Sequence, residues 1–477
     1  MEHLRSKLPL YDCVLNHINK RPLSYHVPGH KSGYVFPKGV EKDFLQFLKY
    51  DLTEITGLDD LHEAEEAIQD SQILAANLYG VDQTYFLVNG STVGNLAAIL
   101  SLCEEGDSII VQRDSHKSIF NAINLAKANA IFVSPEVDLI SKLTVGINVE
   151  DIKQALKVAP SSVKAIVLTN PTYYGVSTDL APIVSLAHKH SIPVVVDEAH
   201  GAHFILGAPF PKSATEFGAD IVIQSAHKSL PAMTMGSYLH VKGNFINKNR
   251  LSYLLGALQS SSPSYPIMVS LDIARYYVEC LKNEGTAKIK ANLKGFYNEL
   301  NQIDTLSIVE LNQEGNLKVD LLKLILSSTR LTGYELQAAL EAEGIYTELA
   351  DPLYVLLVLP LSSSFDFSDT LLRIKKAVGL STQGGFVKDM IHTLYYPEKI
   401  THKIYTHKNE TEIVSLDTAV GKICAETIIP YPPGIPLLLE GEEISLHHLK
   451  YLKQTLSFKG KIQGSTNIRH GFIRVFK

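Results

Sequence analysis

The chain has 477 residues, of which 45% are hydrophobic and 20% charged, and its formal net charge at pH 7 is −6. This length exceeds one compact core, so two or three domains are expected. The negative charge and the lack of a long basic tract argue against a nucleic-acid-binding protein. No apolar run is long enough to span a membrane, and no signal-peptide core follows Met1, so we expect neither secretion nor a membrane partner.

The cysteines give no sign of a disulfide framework. Cys13, Cys103, Cys280 and Cys424 are far apart and form no Cys-x-x-Cys pair. Such spacing predicts neither disulfides nor a zinc site, so no metal is expected. A reducing compartment, the cytoplasm, fits this pattern best.

An acidic stretch stands out in the first part of the chain. Asp51 to Asp70 holds eight acidic residues and neither Lys nor Arg. We expect its last part, Leu61 to Ile68, to form an amphipathic helix with its acidic side chains outward. The stretch is either a solvated face, which is the default, or a lining that attracts a cationic substrate.

From Gln72 onward, short apolar runs typical of buried strands alternate with helical patterns. The strand-like runs are 84–88, 108–111, 163–168, 194–196 and 219–224, and helices running to Cys103, Ala126 and His190 lie between them. Repeated units of this kind predict an α/β fold with a doubly wound, mostly parallel sheet. A Rossmann nucleotide-binding fold is the alternative, but its G-x-G-x-x-G motif is absent where it would be required.

Polar residues follow each of these strands. In chain order they are Ser91 and Thr92, His116, Asn170, Asp197 and Lys228. The carboxyl ends of parallel strands meet in one crevice, which is where open α/β sheets bind ligands. A Lys there can form a Schiff base, an Asp can hold a ring nitrogen protonated, and Ser or His can hold a phosphate. Pyridoxal phosphate (PLP) needs these three contacts, so the pattern favours PLP over a solvated lysine.

The phosphate contact has an ordinary alternative. Gly90-Ser91-Thr92 precedes a helix, where free backbone N–H groups and the helix dipole suit a phosphate. A serine at that position could equally be a plain helix N-cap.

The second half of the chain is less regular. After Gly236 we expect helix through Lys282, interrupted by a loop at 259–266. A smaller α+β unit should follow, with helices at 291–302 and 333–343 and strands near 306–311 and 354–359. The prolines and glycines of 431–442 predict a fixed loop or linker.

These motifs resemble those of the fold-type-I, PLP-dependent ornithine/lysine/arginine decarboxylases of bacteria. The matching stretches are HVPGHKSG (26–33), DLTEITGLDDLH (51–62), FLVNGSTVGN (86–95), RDSHKSI (113–119), VDEAHGAHF (196–204), QSAHKSL (224–230), SSSPSY (260–265) and YPPGIPLLLEGE (431–442). They run through nearly the whole chain in the order of the family. The chain begins close to HVPGHK and so resembles the short form, which lacks an N-terminal receiver-like domain. We expect an N-terminal segment at 1–45, a large PLP-binding domain at 46–285, a small α+β domain at 286–385 and a C-terminal domain at 386–477.

The resemblance implies roles for individual residues. Lys228 is similar to the lysine that forms the Schiff base, Asp197 to the partner of the pyridinium nitrogen, and His116 to the imidazole on the ring face. The implied phosphate contacts are Ser91, Thr92, Ser225 and His227. Longer members carry a Trp soon after the cofactor Asp, whereas this chain has His200 there and no Trp anywhere. His200 is therefore a candidate for proton delivery.

The resemblance also implies an assembly. Ser261 or Ser262 is similar to a hydroxyl that reaches the phosphate of the neighbouring subunit's cofactor. This implies a homodimer with shared active sites, or a higher homo-oligomer.

The activity implied is decarboxylation of a basic amino acid, as in polyamine biosynthesis. Arginine, giving agmatine, is favoured because short-form chains resemble biosynthetic arginine decarboxylases; lysine and ornithine stay open. Candidate groups for the distal cation of the substrate are Asp59, Asp60 and Glu426, with Asp51, Glu54 and Glu348 as further carboxylates.

Two other interpretations stay open at this point. One is another fold-type-I enzyme acting on a basic amino acid, such as an aminotransferase, although no Arg for the substrate carboxylate is evident. The other is a catalytically weak homologue with a regulatory role, against which the intact Lys228, Asp197 and His116 count.

Overall fold

The computed structural model describes residues 7–159, 162–311, 317–379, 399–403, 410–431, 434–457 and 460–477. The helices are α1 (Pro9–Asn19), α2 (Glu41–Leu48), α3 (Ala67–Tyr79), α4 (Gly90–Leu102), α5 (Lys117–Ala126), α6 (Val149–Val158), α7 (Ala181–Lys189), α8 (Ala214–Phe217), α9 (Ala226–Ser229), α10 (Lys248–Leu258), α11 (Tyr265–Glu284), α12 (Ala287–Leu300), α13 (Gly333–Ala342), α14 (Ser368–Gly379) and α15 (Leu446–Ser457). The strands are β1 (Gln83–Leu87), β2 (Ser108–Gln112), β3 (Asn129–Val133), β4 (Glu136–Val137), β5 (Thr144–Gly146), β6 (Val163–Thr169), β7 (Val176–Ser177), β8 (Val194–Asp197), β9 (Ile221–Gln224), β10 (Ser237–Val241), β11 (Leu306–Ile308), β12 (Lys318–Val319), β13 (Lys323–Ser328), β14 (Leu349–Ala350), β15 (Val355–Val358), β16 (Ile400–Lys403), β17 (Thr411–Ser415), β18 (Ile429–Tyr431), β19 (Lys461–Gln463) and β20 (Phe472–Phe476).

An eight-stranded mixed sheet forms the large unit, in the order β1-β10-β9-β8-β6-β2-β3-β16. The five central strands β9, β8, β6, β2 and β3 run parallel, whereas β10 and β16 run against their neighbours. The α/β fold class and the mostly parallel sheet predicted from the sequence are thus confirmed. Among the described residues, no helix combines the length and apolarity needed to cross a membrane.

The apolar runs of the central strands reflect burial on both faces of the sheet. In β2, Ile109 and Val111 pack into the hydrophobic cluster on one face and Ile110 into the cluster on the other. In β8, Val195 packs into the first of these clusters and Val194 into the second. A strand covered by helices on both sides has no polar face, so its sequence shows a continuous apolar run instead of alternation.

The expected helix directly after Gly236 is wrong, because Ser237–Val241 forms β10. This strand lies between β1 and β9, and all five of its residues are buried. A short strand with every residue buried shows no hydrophobic period that separates strand from helix. The helical prediction holds only from Lys248 onward.

The expected amphipathic helix at Leu61–Ile68 is also wrong, since α3 begins only at Ala67. The segment before α3 is held by Asp59, which is 6% exposed. Its Oδ1 accepts the backbone N–H of Glu65, and its Oδ2 accepts those of Glu66 and Ile68, at 2.9–3.1 Å. A carboxylate can accept the N–H groups that are free at the start of a helix, and this favours turns in the segment before the helix. It also places a negative charge at the positive end of the helix dipole.

The small unit joins the large one through a close backbone approach. Its sheet has the order β11-β13-β15-β14 and is packed with α12, α13 and α14. Between β11 and β13 in the chain, β12 pairs with β7 of the large unit, and Asp320 N donates to Gly175 O over 2.9 Å. Gly175 has φ +84°, and a Cβ there would lie 2.5 Å from Cγ of Lys323. The fit therefore requires glycine and brings Lys323 to the edge of the large sheet.

The C-terminal unit has its own apolar core, formed by residues of α15, β19, β20 and neighbouring loops. It is tied to the large sheet by Arg113, which is 1% exposed. Arg113 donates to both carboxylate oxygens of Glu442, at 2.8 and 2.6 Å, and to Pro436 O at 2.8 Å. The expected loop at 431–442 is described from residue 434; Pro432 and Pro433, and the predicted domain boundary at 385, lie outside the described residues.

Candidate active site

The parallel strands bring the predicted site residues to one edge of the sheet. In the strand register, Asp197 at the end of β8 lies opposite Thr169 of β6 and Ile223 of β9. Ser225 and Lys228 follow β9, and His116 follows β2. These are the carboxyl ends of neighbouring strands, where α/β sheets place ligand-binding groups.

Asp197 is buried, with 3% of its surface exposed. Its Oδ1 accepts the backbone N–H of Ala199 at 3.2 Å, and its Oδ2 accepts Nδ2 of Asn95 at 2.9 Å. Asn95 lies on α4, one turn after Ser91, and so faces the same side of that helix. A buried carboxylate with these two donors retains lone pairs for a further proton donor.

His116 caps the N-terminus of α5 and is linked to Asp197 through Asn95. Its Nδ1 accepts the backbone N–H of Ser118 at 3.3 Å and lies 2.9 Å from Ser118 Oγ. Ser118 Oγ in turn accepts Nδ2 of Asn95 at 2.9 Å. Burial lowers the pKa of His116, while the charge of Asp197 acts in the opposite direction. The ring is therefore held in a fixed orientation and in its neutral form.

A group of hydroxyls lies at the start of α4. Ser91 Oγ and Ser225 Oγ are 2.7 Å apart, and both residues are buried. Thr92 is exposed on the first turn of the same helix. His227 Nδ1 lies 3.1 Å from Gly236 O, a contact in which the ring donates. Hydroxyls at the N-terminus of a helix are suited to bind an anion.

His200 lies between two lysines. Its Nε2 is 2.9 Å from Lys228 Nζ, and its Nδ1 is 2.8 Å from Lys323 Nζ. Tyr173 covers this group: its ring centroid is 4.5 Å from that of His200 and 5.7 Å from Lys228 Nζ. The Tyr173 hydroxyl donates to Glu348 Oε1 at 2.5 Å.

Burial dominates the ionisation of these three groups. It lowers the pKa of Lys228, while Asp197 and Glu348 favour its charged form. It also lowers the pKa of Lys323, to about 8. Burial, followed by the charges of the two lysines, holds the pKa of His200 well below its ordinary value, so the imidazole is neutral.

The remaining predicted residues lie apart from this group. Ser261 and Ser262 are exposed on the loop before α11, which approaches the large unit where Ser260 N donates to Asn89 Oδ1 at 3.4 Å. Glu426 is in the C-terminal unit, where its Oε1 accepts the backbone N–H of Arg474. Asp60 Oδ1 accepts the backbone N–H of His62. Within the described residues no group of three or more His, Cys, Asp or Glu is placed to hold a metal.

Three residues of the site were not predicted from the sequence: Asn95, Tyr173 and Lys323. Asn95 could have been found, because its spacing of four from Ser91 places both on one helix face. Lys323 begins an apolar strand and gave no such signal, since its position depends on the pairing of β12 with β7.

A buried polar chain supports the sheet behind Asp197. Glu198 is fully buried and accepts Ala214 N at 2.6 Å, Ser213 Oγ at 2.8 Å and Gln224 Nε2 at 2.6 Å. Gln224 Oε1 then lies 3.1 Å from His240 Nε2. Burial raises the pKa of Glu198 to about 8.

Comparisons with known proteins identify one family. Residues 8–320 match the family described as Orn/Lys/Arg decarboxylase, major domain, and residues 383–475 match its C-terminal domain. The uncharacterized protein YaaO of Bacillus subtilis is 45% identical and the arginine decarboxylase of the same organism 34%, each over 98% of both chains. The solved lysine decarboxylase LdcF of Francisella novicida superimposes with a TM-score of 0.82 at 20% identity, over 98% of this chain and 81% of that one.

The raised pKa of Glu198 predicts a pH dependence of stability. Between the pKa of an unfolded glutamate, about 4.3, and about 8, the folded chain holds a proton that the unfolded chain has lost. Stability should therefore fall as pH rises through this window, by up to about 1.4 kcal/mol per pH unit. Glu198→Gln should remove that fall.

The measurement is the urea midpoint by circular dichroism at several pH values from about 5 to 8, because the chain has no Trp for fluorescence. Glu341→Gln is the control, since Glu341 is exposed on α13 and its charge is not among those that act on Glu198. An unchanged pH dependence in Glu198→Gln would contradict the assignment.

Proposed function

We propose that arginine is the substrate of this chain, which belongs to the Orn/Lys/Arg decarboxylase family and is an amino-acid decarboxylase acting on a basic amino acid. The family membership expected from the motifs is thereby confirmed, and the aminotransferase interpretation gains no support. The full-length similarity to an arginine decarboxylase carries the choice of arginine. Its product would be agmatine, as in polyamine biosynthesis.

The site residues fit PLP as the cofactor. A dianionic phosphate suits the hydroxyls of Ser91, Thr92 and Ser225 at the start of α4, and a pyridinium nitrogen suits the buried carboxylate of Asp197. Ser229 Oγ, next to Lys228, is buried and has no hydrogen-bond partner among the described residues, so its hydrogen-bonding capacity is unused. When bound, PLP supplies a conjugated ring that accepts the electron pair released as carbon dioxide leaves.

The chain's own residues would hold the reacting groups in place. Lys228 supplies the amine, and its lowered pKa makes the neutral, nucleophilic form accessible. Asp197, oriented by Asn95, stabilises positive charge at the ring nitrogen. His116, fixed by Ser118, would hold the cofactor ring. A proton reaches the substrate Cα from Lys228 Nζ or from His200 Nε2, which lies 2.9 Å from that nitrogen.

The phosphate role of His227 depends on its protonation state. The ring donates Nδ1–H to Gly236 O, so a neutral ring presents only an acceptor at Nε2. Burial lowers the pKa of His227, which favours this neutral form. A bound phosphate dianion would act in the opposite direction and stabilise the charged ring as a donor.

Glu348 is the best-placed carboxylate for the distal cation of the substrate. It is exposed at the crevice, accepts the Tyr173 hydroxyl, and its charge raises the pKa of Lys228. Asp60 is the second candidate. Asp59 is disfavoured because its oxygens already accept the N–H groups at the start of α3, and Glu426 stays a prediction.

A second copy of the chain completes the proposed enzyme as a homodimer, and a higher homo-oligomer stays open. The segment before α3 exposes large apolar side chains, including Tyr25 at 92% and Tyr34 at 94%. Its other exposed members are Leu23, Val27, Val35, Val40, Phe44, Leu45 and Phe47. Apolar surface of this kind typically marks an interface. The exposed hydroxyls of Ser261 and Ser262 would then be available to the neighbouring site.

The activity is tested by incubating the PLP-loaded protein with arginine, lysine and ornithine separately. Carbon dioxide and amine should be released fastest from arginine. Asp197→Asn should keep the fold and the cofactor but lose activity by about a hundredfold or more, because an amide cannot stabilise the positive ring nitrogen.

Faster turnover of lysine or ornithine would contradict arginine as the substrate. Near-normal activity of Asp197→Asn would contradict the proposed role of Asp197 at the ring nitrogen. Borohydride reduction and peptide mapping provide a control that is independent of turnover. The reduced adduct should lie on Lys228, and an adduct on Lys31 or Lys117 would contradict the assignment of the amine.

Glu348→Gln should weaken binding of the substrate cation. A charge-assisted hydrogen bond contributes roughly 1.5–3 kcal/mol, so KM for arginine should rise about ten- to a hundredfold. The absorption spectrum of the bound cofactor should stay unchanged. Glu341→Gln, an exposed change on α13, is the control, and Asp60→Asn is the comparison. A rise in KM with Asp60→Asn alone would transfer the role to Asp60.

Shared sites predict recovery of activity in mixed dimers. Ser261→Ala combined with Ser262→Ala should weaken cofactor retention, and Lys228→Ala should be inactive. If the serines serve the partner's site, a heterodimer of these two variants has one site with both lesions and one intact site. Activity should therefore return on mixing. No recovery after mass spectrometry has demonstrated subunit exchange would contradict a shared site.

A further inference from the structure

The contact of His200 with two lysines restricts where protons can be. A neutral imidazole has one N–H donor and one acceptor nitrogen. Both ring nitrogens of His200 contact a lysine amine, Lys228 at 2.9 Å and Lys323 at 2.8 Å. The ring can accept from only one ammonium, and its N–H needs a neutral amine as acceptor. With both hydrogen bonds made, the lysine that accepts is neutral, so at most one of the two lysines is charged.

Two arrangements satisfy this condition. In the first, Lys228 is charged and donates to Nε2, while Nδ1–H donates to a neutral Lys323. In the second, Lys323 is charged and donates to Nδ1, while Nε2–H donates to a neutral Lys228. The two arrangements differ in the tautomer of His200 and in the position of one positive charge.

We propose that Lys323 is a positioning residue that holds, through His200, the proton that Lys228 gives up, so that the three side chains form a proton relay. In the forward step the N–H bond at Lys228 breaks as one forms at His200 Nε2. The N–H bond at His200 Nδ1 breaks as one forms at Lys323. The net charge of the three groups is unchanged, and the reverse step returns the proton to Lys228.

The structure holds Lys323 in the position that this step requires. Lys323 is 4% exposed. Its side chain packs so closely against Gly175 that a Cβ on residue 175 would lie 2.8 Å from the Cβ of Lys323. Its backbone N–H donates to Asp320 O at 3.0 Å. The amine therefore reaches His200 from a fixed stem, and Tyr173 covers both lysines, with its ring centroid 5.5 Å from Lys323 Nζ.

Carboxylates act on both ends of the relay. Asp320 and Glu348 favour the charged form of Lys323, and Asp197 and Glu348 favour that of Lys228. The other titratable groups that face the relay are His116, His227 and the Tyr173 hydroxyl. Burial lowers the pKa of Lys323 to about 8, so this amine can gain or lose a proton near neutral pH.

The proton relay itself does not depend on the proposed function, but its role in catalysis does. An amine must be neutral to attack and charged to donate a proton, and Lys228 is proposed to do both. Lys323 would hold the charge between those events without contact with solvent.

The test measures the ionisation of Lys228 in the cofactor-free protein, so that it does not depend on decarboxylation. Trace labelling with acetic anhydride over a range of pH, followed by mass spectrometry, reports the apparent pKa of each lysine. In the natural chain, Lys228 and Lys323 should titrate together, each showing two steps at shared pH values. Independent single-step titrations would overturn the relay, whatever the variants do.

Lys323→Met should raise the apparent pKa of Lys228 by about one unit, which lowers its neutral fraction about tenfold at a pH below that pKa. Lys323→Arg keeps a charge that donates to Nδ1, so the pKa of Lys228 should stay at or below its natural value. Lys318→Met is the matched control, because Lys318 is exposed on β12 five residues earlier, and it should change nothing.

The route through the imidazole is tested in a His200→Phe background. There, Lys323→Met should shift the pKa of Lys228 several-fold less than it does with His200 present. An equal shift would mean that Lys323 acts by its field alone and would overturn the relay. An unchanged Lys228 pKa in folded Lys323→Met would overturn it as well.

Discussion

The arrangement of this molecule depends on the free energy of keeping an amine away from water. A charged lysine that loses its solvent needs compensating partners, and its pKa falls until the neutral form becomes accessible. Lys228 meets this condition with Asp197 nearby and a neutral imidazole in contact. The neighbouring groups serve the same end: Asn95 orients the carboxylate, and Tyr173 covers the amines. Each buried charge in the site is therefore stable only because the neighbouring polar groups are present.

Strand direction explains why these groups can meet. Lys228, Asp197 and His116 come from stretches of chain separated by helices, and the parallel strands bring them to one edge. Lys323, the remaining member of the site, comes from outside this sheet. The pairing of β12 with β7, and the glycine at 175 that permits it, place Lys323 on the far side of His200. The large unit thus supplies Lys228, Asp197 and His116, and the small unit supplies Lys323, whose charge lowers the pKa of His200.

The sequence predicts the parts of this arrangement that depend on local pattern. The strands ending at Asp197 and before Ser225 were predictable because wholly buried strands have a recognisable length and composition. Strand β10 was not, since five buried residues carry no period. The role of Asp59 was also hidden, because a carboxylate that accepts N–H groups at a helix start has the same sequence signature as one that faces solvent. Lys323 was beyond local reasoning, since its partner lies 123 positions away and depends on the docking of two units.

The separation of Lys323 from Lys228 also has a consequence for how the chain is made. Roughly ninety residues must be synthesised after Lys228 before Lys323 exists, which takes about 5–20 s at ribosomal rates of about 5–20 residues per second. During that interval the strands around Asp197 and Lys228 can already have left the ribosome, but β12 cannot yet pair with β7. A nascent chain therefore carries Lys228 before it carries the group that contacts the far side of His200. Until Glu348 is also made, Lys228 lacks one of the two carboxylates that favour its charged form in the finished protein.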